Sequence, residues 1–123
     1  MDISKLKILD ERALNNIKLL ADEDDPDFVD KLINIFLGRI PRLLQEISDA
    51  ASEKDYSKLE RSSHALKGSS GNIGATAMMT ICAKLEELGR EKRTEDAEYL
   101  VKSLSNVSNQ TVDQLRKDWM QAG

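Results

Sequence analysis

His64, the one histidine of the chain, has neighbours that suit a nucleophile. Lys67 and Gly68 follow three and four residues later, so in a helix both flank the imidazole. Gly68 also occupies a position where alanine would stabilise an exposed helix by about 1 kcal/mol. An accessible ring nitrogen, a nearby ammonium group and a free approach path are what a histidine needs to receive a phosphoryl group. On these three residues alone, a solvated surface histidine without a function is the favoured interpretation.

The helix around His64 has one face suited to a protein core and one suited to solvent. With about 100° between successive residues, the core-facing stripe contains Leu59, Ser62, Leu66, Ser69 and Ile73. The opposite face contains Ser57, Glu60, Arg61, Lys67, Gly68 and Gly71. We therefore expect His64 and Lys67 to point into solvent. The serines of the stripe should let a neighbouring helix approach closely.

Helical periodicity extends along the chain, and no strand pattern of useful length interrupts it. A first helix is predicted at about residues 11–20, with Asp10 as its N-cap. Asp25-Pro26 is typical of the start of a long second helix, in which Pro41 favours a kink. The apolar face of this helix is predicted to contain Phe28, Leu32, Ile35, Phe36, Leu43, Ile47 and Ala50.

Three more helices follow. The third is predicted at about residues 56–70, ending in a turn at residues 71–74, and the fourth at about residues 75–91. Thr94 is the predicted N-cap of the fifth, with Glu95 and Asp96 in its first turn. Short connections between amphipathic helices favour antiparallel neighbours. The predicted fold class is all-α: an antiparallel up-down four-helix bundle with an additional short N-terminal helix.

The composition excludes several classes of protein. The 123 residues, 40% hydrophobic and 33% charged, fit a single globular domain over residues 1–123. No segment could span a bilayer and no secretory signal is evident, so we expect a cytoplasmic location. One cysteine and one histidine exclude a disulfide and make a metal site improbable. A net charge of −4 argues against nucleic acid as a partner.

The sequence His64-Ala65-Leu66-Lys67-Gly68-Ser69-Ser70, continued by Gly71-Asn72-Ile73-Gly74-Ala75, resembles the signature of histidine phosphotransfer (HPt) domains. That pattern reads H-x-L-K-G-S/A-S/A and is followed by a glycine turn. The flanking segments at residues 59–63 and 82–86 are also similar to the family. The resemblance covers about 110 residues, from Leu9 to near Trp119. Ser63 departs from it slightly, because alanine is common before the histidine.

The resemblance implies a role for each matched residue. His64 would be the phosphorylation site and Lys67 the cation beside the phosphoryl group. Gly68 would give clearance for the partner. Ser69 and Ser70 would be small packing residues near the site.

The resemblance also implies the partners: receiver domains of response regulators or hybrid sensor kinases. Mg²⁺ would belong to the receiver, so the chain would need no cofactor, and we expect a monomer. Arg61 and Gly71, on the face of His64, would join Gly68 in docking. The basic residues Arg39, Arg42 and Lys58 would add positive potential there, although ordinary surface bases are an equal alternative.

The same residues also bear on other functions. No glycine-rich phosphate loop is present, so the chain is not expected to be an ATP-dependent kinase. A bundle that docks receivers without carrying phosphate is the rival hypothesis. A hydrolase that uses His64 as an acid–base is disfavoured, because no carboxylate or hydroxyl constellation in the sequence would orient the ring. Cys82 is predicted to be a buried hydrophobe, and the acidic residues 22–27 a solvated loop.

Overall fold

The computed structural model describes residues 2–21 and 24–120. Within these residues, a short 3-10 turn (Ile3–Lys5) precedes α1 (Glu11–Leu20), α2 (Phe28–Glu53), α3 (Tyr56–Ile73), α4 (Thr76–Arg90) and α5 (Ala97–Asp118). Helices α2 to α5 pack in a ring, while α1 lies against α2 and α3. Short connections make successive helices of the ring antiparallel. The predicted all-α bundle with an additional short N-terminal helix is confirmed.

Local hydrogen bonds explain where α1 and α3 begin. The side chain of Asp10 accepts a hydrogen bond from the backbone N–H of Arg12 at 3.0 Å, so the predicted cap of α1 is confirmed. The Asp55 side chain caps α3 in the same way, through the N–H of Lys58 at 3.1 Å. Gly74 ends α3 in the left-handed region, with φ of 80°. Its carbonyl accepts the N–H of Asp10 at 2.7 Å, which ties the N-terminal segment to the α3–α4 turn.

Three predicted helix boundaries were wrong. Helix α2 begins at Phe28 rather than Pro26, because a turn closed by the N–H of Phe28 on the carbonyl of Asp25 comes first. Helix α3 continues through residues 71–73 and breaks only at residue 74. Helix α5 begins at Ala97, since Asp96 takes a left-handed conformation, with φ of 64°, and stays outside the helix. The predicted cap Thr94 therefore lies in the preceding turn.

The core is formed by apolar stripes of all four bundle helices. On α2, which runs unbroken through Pro41, the buried residues are Ile33, Phe36, Ile40, Leu43, Ile47 and Ala50. Ile35 was wrongly predicted to lie on this face and is 53% exposed. Cys82 is fully buried, as predicted, and burial together with the charge of Glu86 raises the pKa of its thiol to about 12.

None of the helices in the described part of the chain is long and apolar enough to cross a membrane. Two members of the predicted acidic loop, Asp22 and Glu23, lie outside the described residues. Among the residues that are described, no group of three or more His, Cys, Asp or Glu side chains is placed to hold a metal ion.

Candidate functional site

His64 lies on the outer face of α3, with 69% of its side chain exposed. Its Nδ1 atom is 2.5 Å from Oε2 of Glu86, a residue of α4 whose side chain is only 7% exposed. The expectation that no carboxylate orients this ring was therefore wrong, because α4 supplies one from the neighbouring helix. Within the described residues, no hydrogen bond to the other ring nitrogen, Nε2, is found. One ring nitrogen is thus held and the other faces outward.

Lys67 binds the second oxygen of the same carboxylate. Its Nζ atom lies 2.5 Å from Oε1 of Glu86. The side chain of Lys67 is 32% exposed, so it is not the fully solvated residue that its helical face predicts. The difference arises because a lysine is long enough to reach across the α3–α4 interface to a buried anion.

The charge of Glu86 determines which ring nitrogen of His64 carries the proton. Burial favours the neutral acid, but the hydrogen bonds from Lys67 and His64 and the positive charge of Lys67 outweigh it, so the pKa of Glu86 is lowered. An ionised carboxylate only accepts hydrogen bonds, so the Nδ1 atom beside it must carry a proton. In the neutral imidazole, the lone pair is then on Nε2.

Arg90 extends this arrangement by one turn of α4. Its Nη2 atom lies 3.7 Å from Oε1 of Glu86, and its Nε atom donates to Oε2 of Glu60 at 3.3 Å. Glu60 precedes His64 by one turn on α3. We call Glu60, His64, Lys67, Glu86 and Arg90 the ionic cluster.

A glycine of α4 lets the two helices approach closely enough to form the ionic cluster. A Cβ atom added at Gly89 would lie 2.7 Å from the backbone nitrogen of Glu60 and 2.9 Å from the carbonyl oxygen of Tyr56. The backbones of α3 and α4 are therefore in direct contact at this point. Glu86 lies three residues before Gly89, so the same close approach brings its carboxylate within reach of His64.

The flank of His64 that faces α2 has the opposite character. Outside its own helix backbone and chain neighbours, no described heavy atom lies within 4 Å of a Cβ atom added at Gly68. A groove of 350 Å³ runs between α2 and α3, lined in part by Arg42, Glu46, Lys58 and Arg61. We call this the α2–α3 groove. Glu46 pairs with Arg42 at 3.3 Å, so the lining carries more positive than negative groups. The space at Gly68 is open, while its role as clearance for a partner stays a prediction. Three of the four predicted basic residues line one groove.

The remaining predicted site residues of α3 divide between the core and the surface. Ser70 is fully buried, as a packing residue should be. Ser69 is only half-buried, and its Oγ accepts a hydrogen bond from Nη1 of Arg39 at 3.3 Å. Its predicted place in the core stripe was wrong, because the buried serines of α3 are Ser62, Ser63 and Ser70.

Gly71 is exposed, but it does not provide clearance of the kind seen at Gly68. A Cβ atom at Gly71 would lie 3.1 Å from Sδ of Met79, so the absence of a side chain there serves the packing of α3 on α4. The sequence pattern placed both glycines on one face and did not separate these two roles.

Glu86 is the principal site residue that sequence reasoning did not identify. It lies one turn after Cys82 and beside Leu85, within a stripe that is otherwise apolar and buried. A glutamate at a core-facing position is the signal that would have revealed it, since buried carboxylates are nearly always paired. The sequence motif around His64 lies on α3 alone, whereas the site is formed by α3 and α4.

Comparison with known proteins identifies the family. A model of the Hpt domain matches residues 31–118, and the chain therefore belongs to the Hpt domain family. Histidine-containing phosphotransfer protein 2 of Arabidopsis thaliana is 32% identical over 82 residues, which cover 64% of this chain and 53% of that protein. The chain thus spans about half the length of this relative.

Solved structures of histidine phosphotransfer proteins share the fold. The crystal structure of HptB from Pseudomonas aeruginosa matches with a TM-score of 0.81 and 23% identity, covering 90% of this chain and 93% of that chain. Ypd1 of Saccharomyces cerevisiae, co-crystallised with the receiver domain of its downstream response regulator Ssk1, matches with a TM-score of 0.65 and 22% identity, covering 89% and 88%. At these identities the likeness defines the fold alone.

Proposed function

We propose that this chain is a phosphorelay intermediate that carries a phosphoryl group on Nε2 of His64. A receiver domain bearing phosphoaspartate donates the group, and the aspartate of a second receiver removes it. The observation that carries the proposal is the 2.5 Å contact between Nδ1 of exposed His64 and buried, ionised Glu86. This contact leaves Nε2 as a nucleophile that faces a partner.

The transfer step balances without a proton leaving the ring. The lone pair of Nε2 attacks phosphorus, and the bond from phosphorus to the aspartate oxygen breaks with its electron pair on the carboxylate. The imidazole becomes positively charged as the N–P bond forms. The carboxylate of Glu86, fixed at Nδ1, stabilises this developing charge, so its interaction strengthens in the transition state. Reversal of the same step delivers the group to the second receiver.

The α2–α3 groove is the proposed docking region. Gly68 leaves space beside the ring, and the groove presents basic side chains to the acidic active site expected of a receiver. The co-crystal of Ypd1 with a receiver domain supports this class of partner. Docking at Gly68 would let the receiver's Mg²⁺ and loops surround the phosphoryl group, so that positioning and charge supply catalysis.

The proposal also includes the remaining expectations from the sequence. The chain acts as one Hpt domain over residues 1–123, as a monomer in the cytoplasm. It needs no cofactor and does not bind nucleic acid. It has no ATP-dependent kinase activity, since the sequence holds no phosphate-binding loop.

The test is transfer of label from a panel of phosphorylated receiver domains in the presence of Mg²⁺. We expect acid-labile, base-stable label on the chain within minutes for at least one receiver, and none on His64→Gln. The docking-only hypothesis predicts receiver binding that is equal in both chains and no label in either. Label that survives acid, or that persists in His64→Gln, would refute the proposal.

A further inference from the structure

If His64 carries phosphate, Lys67 is needed in two places, at the carboxylate of Glu86 and at the phosphoryl oxygens. Its ammonium group is already bound to Oε1 of Glu86 at 2.5 Å. To hold phosphoryl oxygens it must loosen that contact, and Glu86, with 7% of its side chain exposed, would lose its nearest cation. A buried carboxylate that loses its counter-ion destabilises the folded protein. The ring of His64 stays at Oε2, so a second positive group is needed at Oε1 if the lysine is to serve the phosphoryl group.

We propose that Arg90 is the reserve counter-ion that takes over Glu86 when Lys67 turns to the phosphoryl group. This inference rests on the proposed function of His64. Arg90 is a positioning residue in this scheme, because it acts through Glu86 and Lys67 and touches no reacting atom.

The geometry of the ionic cluster supports the exchange. Nη2 of Arg90 is 3.7 Å from the same oxygen, Oε1, that Lys67 holds. A movement of about 1 Å would bring the guanidinium into charge-assisted hydrogen-bond distance. His64 occupies Oε2, so its orientation can persist while the cation at Oε1 changes.

The current partner of Arg90 does not prevent the movement. Arg90 pairs with Glu60 at 3.3 Å, and these two side chains are 60% and 40% exposed. Exposed ion pairs contribute little to stability, so the guanidinium can turn towards Glu86 at small cost. Glu60 can then be solvated by water.

Phosphorylation supplies the driving force. A phosphoryl group carries nearly two negative charges at neutral pH. On His64, these charges would lie within one helical turn of Lys67. Their attraction for the ammonium exceeds that of the single charge on Glu86, which also receives the positively charged ring. After the exchange, Lys67 faces the phosphoryl group and Arg90 faces Glu86, so no buried charge is left unpaired.

The test compares Arg90→Gln with Arg93→Gln. Arg93 lies just beyond the same end of α4, pairs with Glu91 and Glu95, and makes no ion pair with Glu86. Both substitutions remove one positive charge. We expect Arg90→Gln to reduce the transfer rate and the phosphohistidine lifetime about tenfold, the lower range for a charged hydrogen bond. Arg93→Gln should change neither, and Arg90→Lys should restore most of the loss.

The same Arg90 substitution in the Glu86→Gln variant distinguishes the exchange of counter-ions from a general effect of charge. In Glu86→Gln there is no carboxylate charge to neutralise, so adding Arg90→Gln should have little further effect on lifetime. Undiminished transfer in Arg90→Gln, an equal loss in Arg93→Gln, or an additive loss in the Glu86→Gln background would each overturn the exchange. Absence of label on the unaltered chain would instead overturn the proposed function.

Discussion

The two flanks of His64 are built in different ways. Towards α4, a buried carboxylate binds Lys67 and fixes the imidazole. Towards α2, Gly68 leaves open space, and an open groove is lined by three basic residues and Glu46. In the proposed function, the chain would supply the groups that prepare the nucleophile and leave the rest of the reaction site to a receiver domain. Substitutions on the α4 flank should alter the rate of phosphotransfer, and substitutions on the α2 flank should alter the affinity for the receiver.

Removing the nucleophile should have the largest effect and should leave both flanks in place. We expect His64→Gln to abolish labelling by phosphorylated receivers. Because the exposed ring contributes little to the core, its melting temperature should stay close to that of the unaltered chain. Receiver binding, measured by calorimetry, should change by less than about threefold. A large loss of binding would mean that the ring itself is a docking contact, and the two flanks could then not be separated.

Removing the cation on the α4 flank should affect both chemistry and stability. Lys67→Ala should slow transfer about ten- to a hundredfold, the range of a charged hydrogen bond worth about 1.5–3 kcal/mol. It should also lower the free energy of unfolding by about 1 kcal/mol, a moderate loss because Arg90 can move to the vacated Oε1 of Glu86. A solvated lysine would change neither. Lys84→Ala, which breaks the exposed pair with Glu87, is the control and should leave both quantities nearly unchanged.

Filling the α2 flank should weaken docking. Gly68→Gln places a side chain in the open space beside His64, and a clash of about 1–3 kcal/mol would weaken receiver binding roughly five- to a hundredfold. Gly68→Ala is the matched control, because it gives the same gain in helix propensity with little bulk. The His64 ring should keep its contact with Glu86 in both variants. If Gly68→Gln bound and transferred normally, the docking region would have to lie elsewhere.

The smallest expected effect is the loss of stability at low pH, which depends on Glu86 on the α4 flank. The folded-state pKa of Glu86 lies below its ordinary value of 4.5. A lowered pKa stabilises the fold above the unfolded-state value, and this contribution is lost as pH falls below about 4.5 through the folded pKa. Denaturant unfolding should therefore lose more stability between pH 6 and pH 3 in the unaltered chain than in Glu86→Gln. Glu87→Gln, at a half-exposed position of α4, should behave like the unaltered chain.

Features that depend on residues close together in the sequence were predicted correctly. Helix α1 has its predicted bounds because Asp10 caps it through its own side chain. The start of α5 was missed because the left-handed conformation of Asp96 depends on the turn before it, which no propensity scale describes. Likewise, His64 and Gly68 were identified from spacing within one helix. Glu86 is 22 residues away from His64, and only the packing of α4 on α3 brings them together.

The central claim is that Glu86 fixes the proton of His64 on Nδ1 and so leaves Nε2 to accept phosphorus. A ¹⁵N–¹H correlation spectrum of the imidazole tests it directly, before and after phosphotransfer. At a pH where the ring is neutral, we predict its proton on Nδ1, a bond from phosphorus to Nε2 after transfer, and a mixture of tautomers in Glu86→Gln. A proton on Nε2 in the unaltered chain, or phosphorus on Nδ1, would contradict the account.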